Sequence, residues 1–495
     1  MSKLQVRLGF LMAVLAVTLA IPLLTKPAQA QTKMVFAHYM VVNNDYQDDS
    51  DPTGQTQIQS YQREMLQAQA AGFDGFALNC GGWYSQTWYI RYSTQIFEAA
   101  AELNNGFKLV FSADFCCGNG VNDAEEMMRR FCNDPIYSKV YFKYNGKFVL
   151  TTFSGDNQIG AAGFQQIRSD LTTGANPLPA PDGYSACSNS AFPIFIVPAF
   201  FWGGETPAQS DLQQPFNDWK NIVDGNLYWG IAGVPGSGGN LDQVTSSEAY
   251  AATDHAGSRL YMAPVCLQFW GANADRYYEY SGYAGLRKMW MDAINVSHPE
   301  WVEDITWNDF VEGTYVSPID DPANYGNANV QEIYAANYNH THAGATALTS
   351  YFIQWYKTGV QPVIKHDSLY WAYRTQPMDF DAGYPSVANK YGPVADDIYI
   401  TCNLIAPATL KVTSGSTTST VGLVPGSNDV TVPFTPGFTP HFELDRGGNP
   451  IATGDGIDPI DTAPQYNNYY YSTGTVDALP PPPAPTGLSA RAAVG

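Results

Sequence analysis

From residue 34 onward, short apolar runs rich in β-branched and aromatic residues alternate with longer stretches whose apolar positions recur at helical spacing. Eight such runs can be counted: MVFAHYM (34–40), FDGFALNC (73–80), FKLVFSADF (107–115), KFVLTTFSG (147–155), FPIFIVPAF (192–200), NLYWGIAG (226–233), LYMAPVCLQFW (260–270) and VEDITWNDF (302–310). Helical patterns lie between them, at 57–71, 91–104, 121–132 and 279–294. Strands that are apolar on both faces belong to a parallel sheet covered on both sides. Eight strand-helix repeats of this kind predict an α/β fold, a (β/α)8 TIM barrel over residues 31–385.

After YPSVANKYGP the texture changes to Thr- and Val-rich alternation punctuated by Gly, Pro and Asn, which predicts a small antiparallel β domain over 386–477. Residues 478–495 open as a polyproline linker, and APTGLSA within them is similar to the first strand of a fibronectin type III module. At the other end, Lys3 and Arg7 precede an apolar stretch from Leu8 to Leu24 and then KPAQAQ, a small-x-small cleavage pattern. The expectation is a signal peptide over 1–30, a secreted extracellular protein and no membrane association after cleavage. A retained anchor is the alternative, but Pro22 and the Ala-x-Ala ending favour cleavage.

The formal charge of −21 becomes −24 once the three cations of residues 1–30, Lys3, Arg7 and Lys26, are removed. A surface this acidic repels phosphate backbones and anionic lipid, so nucleic acid and membrane partners are not expected. Charged residues make up only 14% of the chain and aromatics another 14%, a balance that suits a neutral, hydroxylated polymer such as carbohydrate. Seven cysteines are too few for a disulfide scaffold, and Cys117 with Cys132 is the candidate pair. With no HExxH and no paired CxxC units, neither a metal nor an organic cofactor is expected. A monomer is expected.

In a barrel of this kind the chemistry sits at the carboxyl ends of the strands. The polar and aromatic residues found there are His38, Tyr39, Asn79, Asp114, Trp202, Gln268, Trp270, Trp307, Asn308, Asp309 and Glu312. Strand alternation puts Trp307 and Asp309 on one face and Asn308 and Phe310 on the other, so Val311-Glu312-Gly313 must turn to bring Glu312 over Asp309. Two carboxyl groups so placed are what glycoside hydrolysis needs, one protonated to donate and one ionised to activate water or attack carbon. The competing reading is acids that complement a helix dipole.

His38, Tyr39, Asn79 and Asp114 are candidate substrate contacts. Tryptophans 202, 270 and 307 are either core or platforms for sugar rings. Tyr373 and Arg374 follow the last barrel helix, and Arg374 either forks onto a catalytic carboxylate or caps a domain interface. Asp74, at the start of a strand, reads as structural. The acid-rich NNDYQDDSDPTG (43–54) reads as a solvated loop, since it lacks EF-hand spacing. Asn295 and Asn339 head formal glycosylation sequons.

Taken in order, VFAHYMV, AAGFDGFALNCG, FKLVFSADF and ITWNDFVEGTYVSPI resemble the first three strands and the eighth-strand motif of glycoside hydrolase family 71, the endo-α-1,3-glucanases or mutanases. The similarity continues through YKTGVQPVIKHDSLYWAYRTQP, DDIYITCNLIAPATLKVTSGSTTST and NNYYYSTGTV, covering about residues 34–476. The resemblance implies hydrolysis of α-1,3-glucan with inversion and places the acid and base on Asp309 and Glu312, Glu312 being taken as the acid. Two positions depart from the family pattern: Val311 stands where Gly is usual, and CGGWYSQ after FALN carries no acid, so that either a subsite is rebuilt around Trp83 or the substrate has changed.

Two other readings compete. WNDFVEGT also looks like the motif of the family 99 retaining endo-α-mannosidases and endomannanases. A non-catalytic glucan-binding protein is the other, for which one of the two acids should have been replaced, and both are present.

Overall fold

A computed structural model describes residues 33–42, 56–200, 207–230, 243–271, 276–318, 341–384, 389–392, 394–464 and 466–476. The expected signal peptide, the acid-rich loop 43–54, Trp202, the sequon at Asn339 and the Pro-rich tail lie outside these residues.

Eight strands run parallel: β1 Met34–Met40, β2 Gly75–Cys80, β3 Lys108–Asp114, β4 Lys147–Phe153, β5 Ile194–Pro198, β6 Gly225–Leu227, β7 Leu260–Val265 and β8 Trp301–Asp304. They lie in the order β5-β4-β3-β2-β1-β8-β7-β6, with the two-residue strand Lys143–Tyr144 antiparallel to β4. The sheet curls, and its edge strands approach each other at one parallel bridge, Ala199 to Leu227, where the Asp224 amide also donates to the Ile196 carbonyl at 2.8 Å. The architecture is a mixed α/β fold: a curled eight-stranded parallel half-barrel with helices outside it and antiparallel sheets beyond.

Helices form where the sequence supplies both an apolar face and a terminator. Thr56 caps helix Gln57–Ala70 through a capping box with Gln59. Helix Ala343–Thr358 stops at Gly359, whose φ of +68° is open to glycine.

Strand register fixes which residues point inward. Phe36 and His38 of β1 alternate with the outward-facing Ala37 and Tyr39, and on β8 Trp301 and Glu303 alternate with Val302 and Asp304. At the amino ends of the strands, Trp301 meets Phe142 at 5.1 Å, Tyr144 at 5.3 Å, and Phe36 and Phe195 at 6.1 Å between ring centroids. This aromatic floor fills the interior from below and leaves its upper layer to polar residues.

Two of the apolar runs leave the parallel sheet and turn back before they end. Run 260–270 splits: β7 ends at Val265, and Gln268–Gly271 turns back as a hairpin with Arg276–Glu279, which in turn pairs with Asn389–Tyr391. Run 302–310 is strand only as far as Asp304. Beyond it the Thr306 hydroxyl accepts the Asp309 amide at 2.8 Å, and the Thr306 amide donates to the Thr314 carbonyl at 3.0 Å, so the chain doubles back. Strand alternation therefore does not govern residues 305–310, and the faces expected for Trp307 and Asp309 are decided by this turn instead.

The remaining strands form two four-stranded antiparallel sheets. One has the order Gly426–Pro433, Asp397–Leu404, Ser368–Arg374, Tyr471–Val476; the other has Thr417–Leu423, Ala408–Ser414, His441–Arg446, Asn449–Asp455. They share one apolar core, in which Trp371 stacks on Phe442 at 4.5 Å. Ser368–Arg374, within the span expected for the barrel, is thus a central strand of an antiparallel sheet. Its alternate residues Leu369, Trp371 and Tyr373 are what fill that core.

The expected Cys117–Cys132 disulfide is absent, and all seven cysteines are free. Cys132 closes helix Val121–Cys132 and Cys117 precedes its other end, and the helix length of about 18 Å is far more than a disulfide can span. Among the described residues no helix is long and apolar enough to cross a membrane.

A Cβ on Gly474 would lie 2.2 Å from the Trp371 ring. Gly474→Ala is expected to destabilise the protein by about 1–3 kcal/mol, seen as a lower denaturant midpoint at an unchanged slope.

Candidate active site

Asp309 and Glu312 sit on the turn that follows β8. The Glu312 amide donates to Asp309 Oδ1 at 3.1 Å, so one closed loop of chain carries both acids. Asp309 is buried; Glu312 as a residue is half-buried, with its carboxyl group at the enclosed end. The turn is anchored to β1 on both sides. The Trp307 amide donates to the His38 carbonyl at 2.7 Å, while the Asn308 side chain accepts from the Met40 amide at 2.8 Å and donates to the Met40 carbonyl at 3.1 Å. Asn308 therefore completes the β1 edge and has both ends of its amide engaged there.

The upper inward layer surrounds this turn with polar groups. His38 Nδ1 lies 2.8 Å from Glu303 Oε1, and both residues are buried. Asn79 donates to Asp114 Oδ2 at 3.3 Å, and Asp114 Oδ1 accepts the amides of Cys116 and Cys117 at 2.9 and 3.2 Å.

Burial raises the Asp309 carboxyl to about 6, a rise limited by the amides of Glu312 and Val311 and by His38. Burial also raises Glu312 well above the ordinary range; the charges of Asp309 and Asp114 add to that rise, and Arg276 opposes it. Neighbouring carboxyl groups whose proton affinities are pushed to different heights can take opposite roles, one neutral and one ionised. The nearby Cys117 thiol is pushed up to about 12 by burial and by Asp114, so it stays neutral.

The structure thus gathers His38, Asn79, Asp114, Asn308, Asp309 and Glu312, and it turns other candidates elsewhere. Tyr39 points out of the sheet and donates to Glu64 while stacking on Phe76. Trp307 is buried against Phe73 and Phe76, and Trp270 is buried against Tyr469 and Tyr470, so both described tryptophans are core. Trp83, around which a rebuilt subsite was one of two alternatives, is buried as well and donates to Glu126. Tyr373 donates to the Asp458 carbonyl at 2.7 Å. Arg374 reaches Glu279 at 3.3 Å and Asp396 at 3.1 Å, and so it braces the antiparallel sheet against the Arg276–Glu279 strand. Asp74 bonds Lys357 at 2.7 Å and the Val35 amide at 2.8 Å, at the amino end of the strands as expected of a structural acid.

Sequence reasoning missed Glu303 and Arg276. For Glu303 a signal existed, an acid at an inward position of an otherwise apolar strand, because such a charge needs a buried partner. Arg276 carried no signal, since only the return of the hairpin brings it near Glu312.

Comparison with known proteins adds to this geometry. The family model for glycosyl hydrolase family 71 matches residues 31–480. A glucan endo-1,3-alpha-glucosidase of Schizosaccharomyces pombe is 28% identical over 444 residues, 89% of this chain and 94% of that protein. A mutanase of Penicillium rubens is 27% identical over 484 residues, 94% of this chain and 95% of its own. Among solved structures, a GH99 endo-alpha-mannosidase from Bacteroides thetaiotaomicron matches with a TM-score of 0.47 at 11% identity, over 66% of this chain and 98% of that one.

With Trp307 in the core, Trp307→Ala is expected to cost about 3–5 kcal/mol of stability. Chemical unfolding checks this; a sugar platform would instead lose ligand affinity at unchanged stability.

Proposed function

The chain belongs to glycosyl hydrolase family 71, and we propose that it cleaves the α-1,3-glucosidic bonds of an α-1,3-glucan by inversion, with Glu312 as general acid and Asp309 as general base. The single observation that carries the residue assignment is the buried turn holding both carboxyl groups, with Glu312 pushed well up beside Asp309 at about 6. The names of the two relatives, a glucan endo-1,3-alpha-glucosidase and a mutanase, support the substrate.

In this mechanism Glu312 keeps its proton at neutral pH and delivers it to the glycosidic oxygen as the bond to the anomeric carbon breaks. Asp309, ionised, takes a proton from the water whose oxygen forms the new bond on the opposite face. Positive charge develops on the sugar ring between them, where the ionised Asp309 also stabilises it. His38, held by Glu303, favours the ionised form of Asp309, while Asn79 and Asp114 offer hydrogen-bonding groups to sugar hydroxyls. Under the same proposal the curled sheet closes as a barrel through the Ala199–Leu227 bridge. The protein is exported by residues 1–30 and acts as a monomer on an extracellular polysaccharide without a cofactor.

On insoluble α-1,3-glucan, Asp309→Asn and Glu312→Gln are each expected to lose at least about a hundredfold in rate, and proton NMR in the first minutes should show β-anomeric products from the wild type. Cleavage of α-1,6-mannan to an α-anomeric product, with glucan untouched, would overturn the substrate and the stereochemistry together.

The pH profile supplies a second check. Asp309 must be ionised, so kcat/KM should rise as pH increases through about 6 and be lost below it. Glu312 must be protonated, and because its proton affinity is raised, the fall on the alkaline side should come well above the range of an ordinary glutamate. A profile flat from the ordinary carboxylate range upward would contradict the assignment.

A further inference from the structure

Four consecutive carbonyls of the turn that carries the two acids, those of residues 310 to 313, are held by residues remote in sequence. The buried Tyr470 hydroxyl shares its proton between the carbonyls of Phe310 and Val311, at 2.6 and 2.8 Å. The Trp270 amide donates to the Glu312 carbonyl at 2.8 Å, and Gln268 Nε2 donates to the Gly313 carbonyl at 3.2 Å. The Tyr470 ring lies against Gly313 so closely that a Cβ there would sit 2.1 Å from two ring carbons, and the φ of +63° at that residue is itself glycine's.

Tyr470 is fixed in turn from behind. Its amide donates to Asn468 Oδ1 at 3.0 Å, the Asn468 amide donates to Gln376 Oε1 at 2.6 Å, and its ring meets Trp270 at 4.8 Å. The next residue begins the strand Tyr471–Val476, and His342, stacked on Tyr315 at 4.0 Å, lies 3.3 Å from the Tyr471 carbonyl. The far side of the turn is therefore tied to the same strand.

We infer that Tyr470 is a positioning residue of the reaction: it fixes the backbone of the carboxylate turn, and through it the aim and enclosure of Glu312. The C-terminal antiparallel sheet is then a working part of the active site rather than an appended module. This inference rests on Asp309 and Glu312 being the acid pair. The physical reason is that glycine at 313 makes the turn soft, and a displacement of about 1 Å in a reacting group can cost about a hundredfold in rate. The internal bonds of the turn end on acceptors on either side of residues 310 to 313, whose carbonyls take their hydrogen bonds from outside it. Tyr470 supplies its donor by side chain alone, which makes it separable by mutation.

Full-length Tyr470→Phe retains the ring against Gly313 and Trp270 and removes only the donor. On soluble α-1,3-gluco-oligosaccharides its kcat is expected to fall at least about tenfold, with KM within about twofold of wild type. The alkaline limb should move to lower pH, because a looser turn leaves Glu312 less enclosed and farther from Asp309. Gln268→Met, which removes the donor to Gly313 at similar volume, should give the same signature and decides the matter if Tyr470→Phe does not fold.

Wild-type kcat and an unmoved alkaline limb in these folded variants, beside an inactive Glu312→Gln, would overturn the inference while leaving the acid pair standing. Full activity in Glu312→Gln would bring down the acid pair and the inference together.

Discussion

A carboxyl group removed from water favours its neutral form, and a second carboxylate beside it strengthens that preference. On one turn Asp309 meets the first condition and Glu312 meets both, and the surroundings hold them there. Backbone amides of the turn itself and the His38 side chain favour charge on Asp309, whereas Glu312 has mainly Arg276 to offset its burial and its acidic neighbours. The unequal treatment of two nearby acids pushes their proton affinities to different heights. It depends on the turn staying closed, which the amide of Glu312 on Asp309 Oδ1 and the donors from Tyr470, Trp270 and Gln268 accomplish.

The parallel sheet makes this arrangement possible by dividing its interior in two. Trp301 and its aromatic neighbours occupy the lower layer, so the upper layer can hold His38, Glu303, Asn79 and Asp114 without leaving a void beneath them. The buried His38–Glu303 pair is costly to desolvate, and its mutual hydrogen bond offsets part of that cost. The aromatic richness of the chain is spent mostly on such packing. Trp83, Trp270, Trp290, Trp301 and Trp307 are all fully buried, each stabilising a contact between layers rather than facing solvent.

The antiparallel sheets carry a second buried charge cluster that connects them to the hairpin after β7. Glu279, raised by burial and drawn down by Arg374, is bonded by Tyr277 and Tyr399. Arg374 adds Asp396 and the Gln376 carbonyl to the same network. Rigid packing of this kind gives the segment ending at Tyr470 a fixed base from which to grip the turn that carries Asp309 and Glu312.

What the sequence determined by itself was the order and type of the parallel strands and helices, and the turn that brings Asp309 and Glu312 together. Apolar runs bounded by turn residues set the parallel strands, because strands covered on both faces tolerate little else, and WNDFVEG marked the turn through its two acids and its glycine. The tertiary structure decided where each strand ends and which way its last side chains face. Trp307 and Trp270 are core, Arg374 binds Glu279, and Ser368–Arg374 joins the antiparallel sheet, all because of partners brought in from distant parts of the chain. The same reason hid Tyr470, 160 residues from the carbonyl it holds. Local pattern records what a residue prefers to be near, whereas only the folded chain supplies the particular neighbour, its distance and the loss of water around the pair.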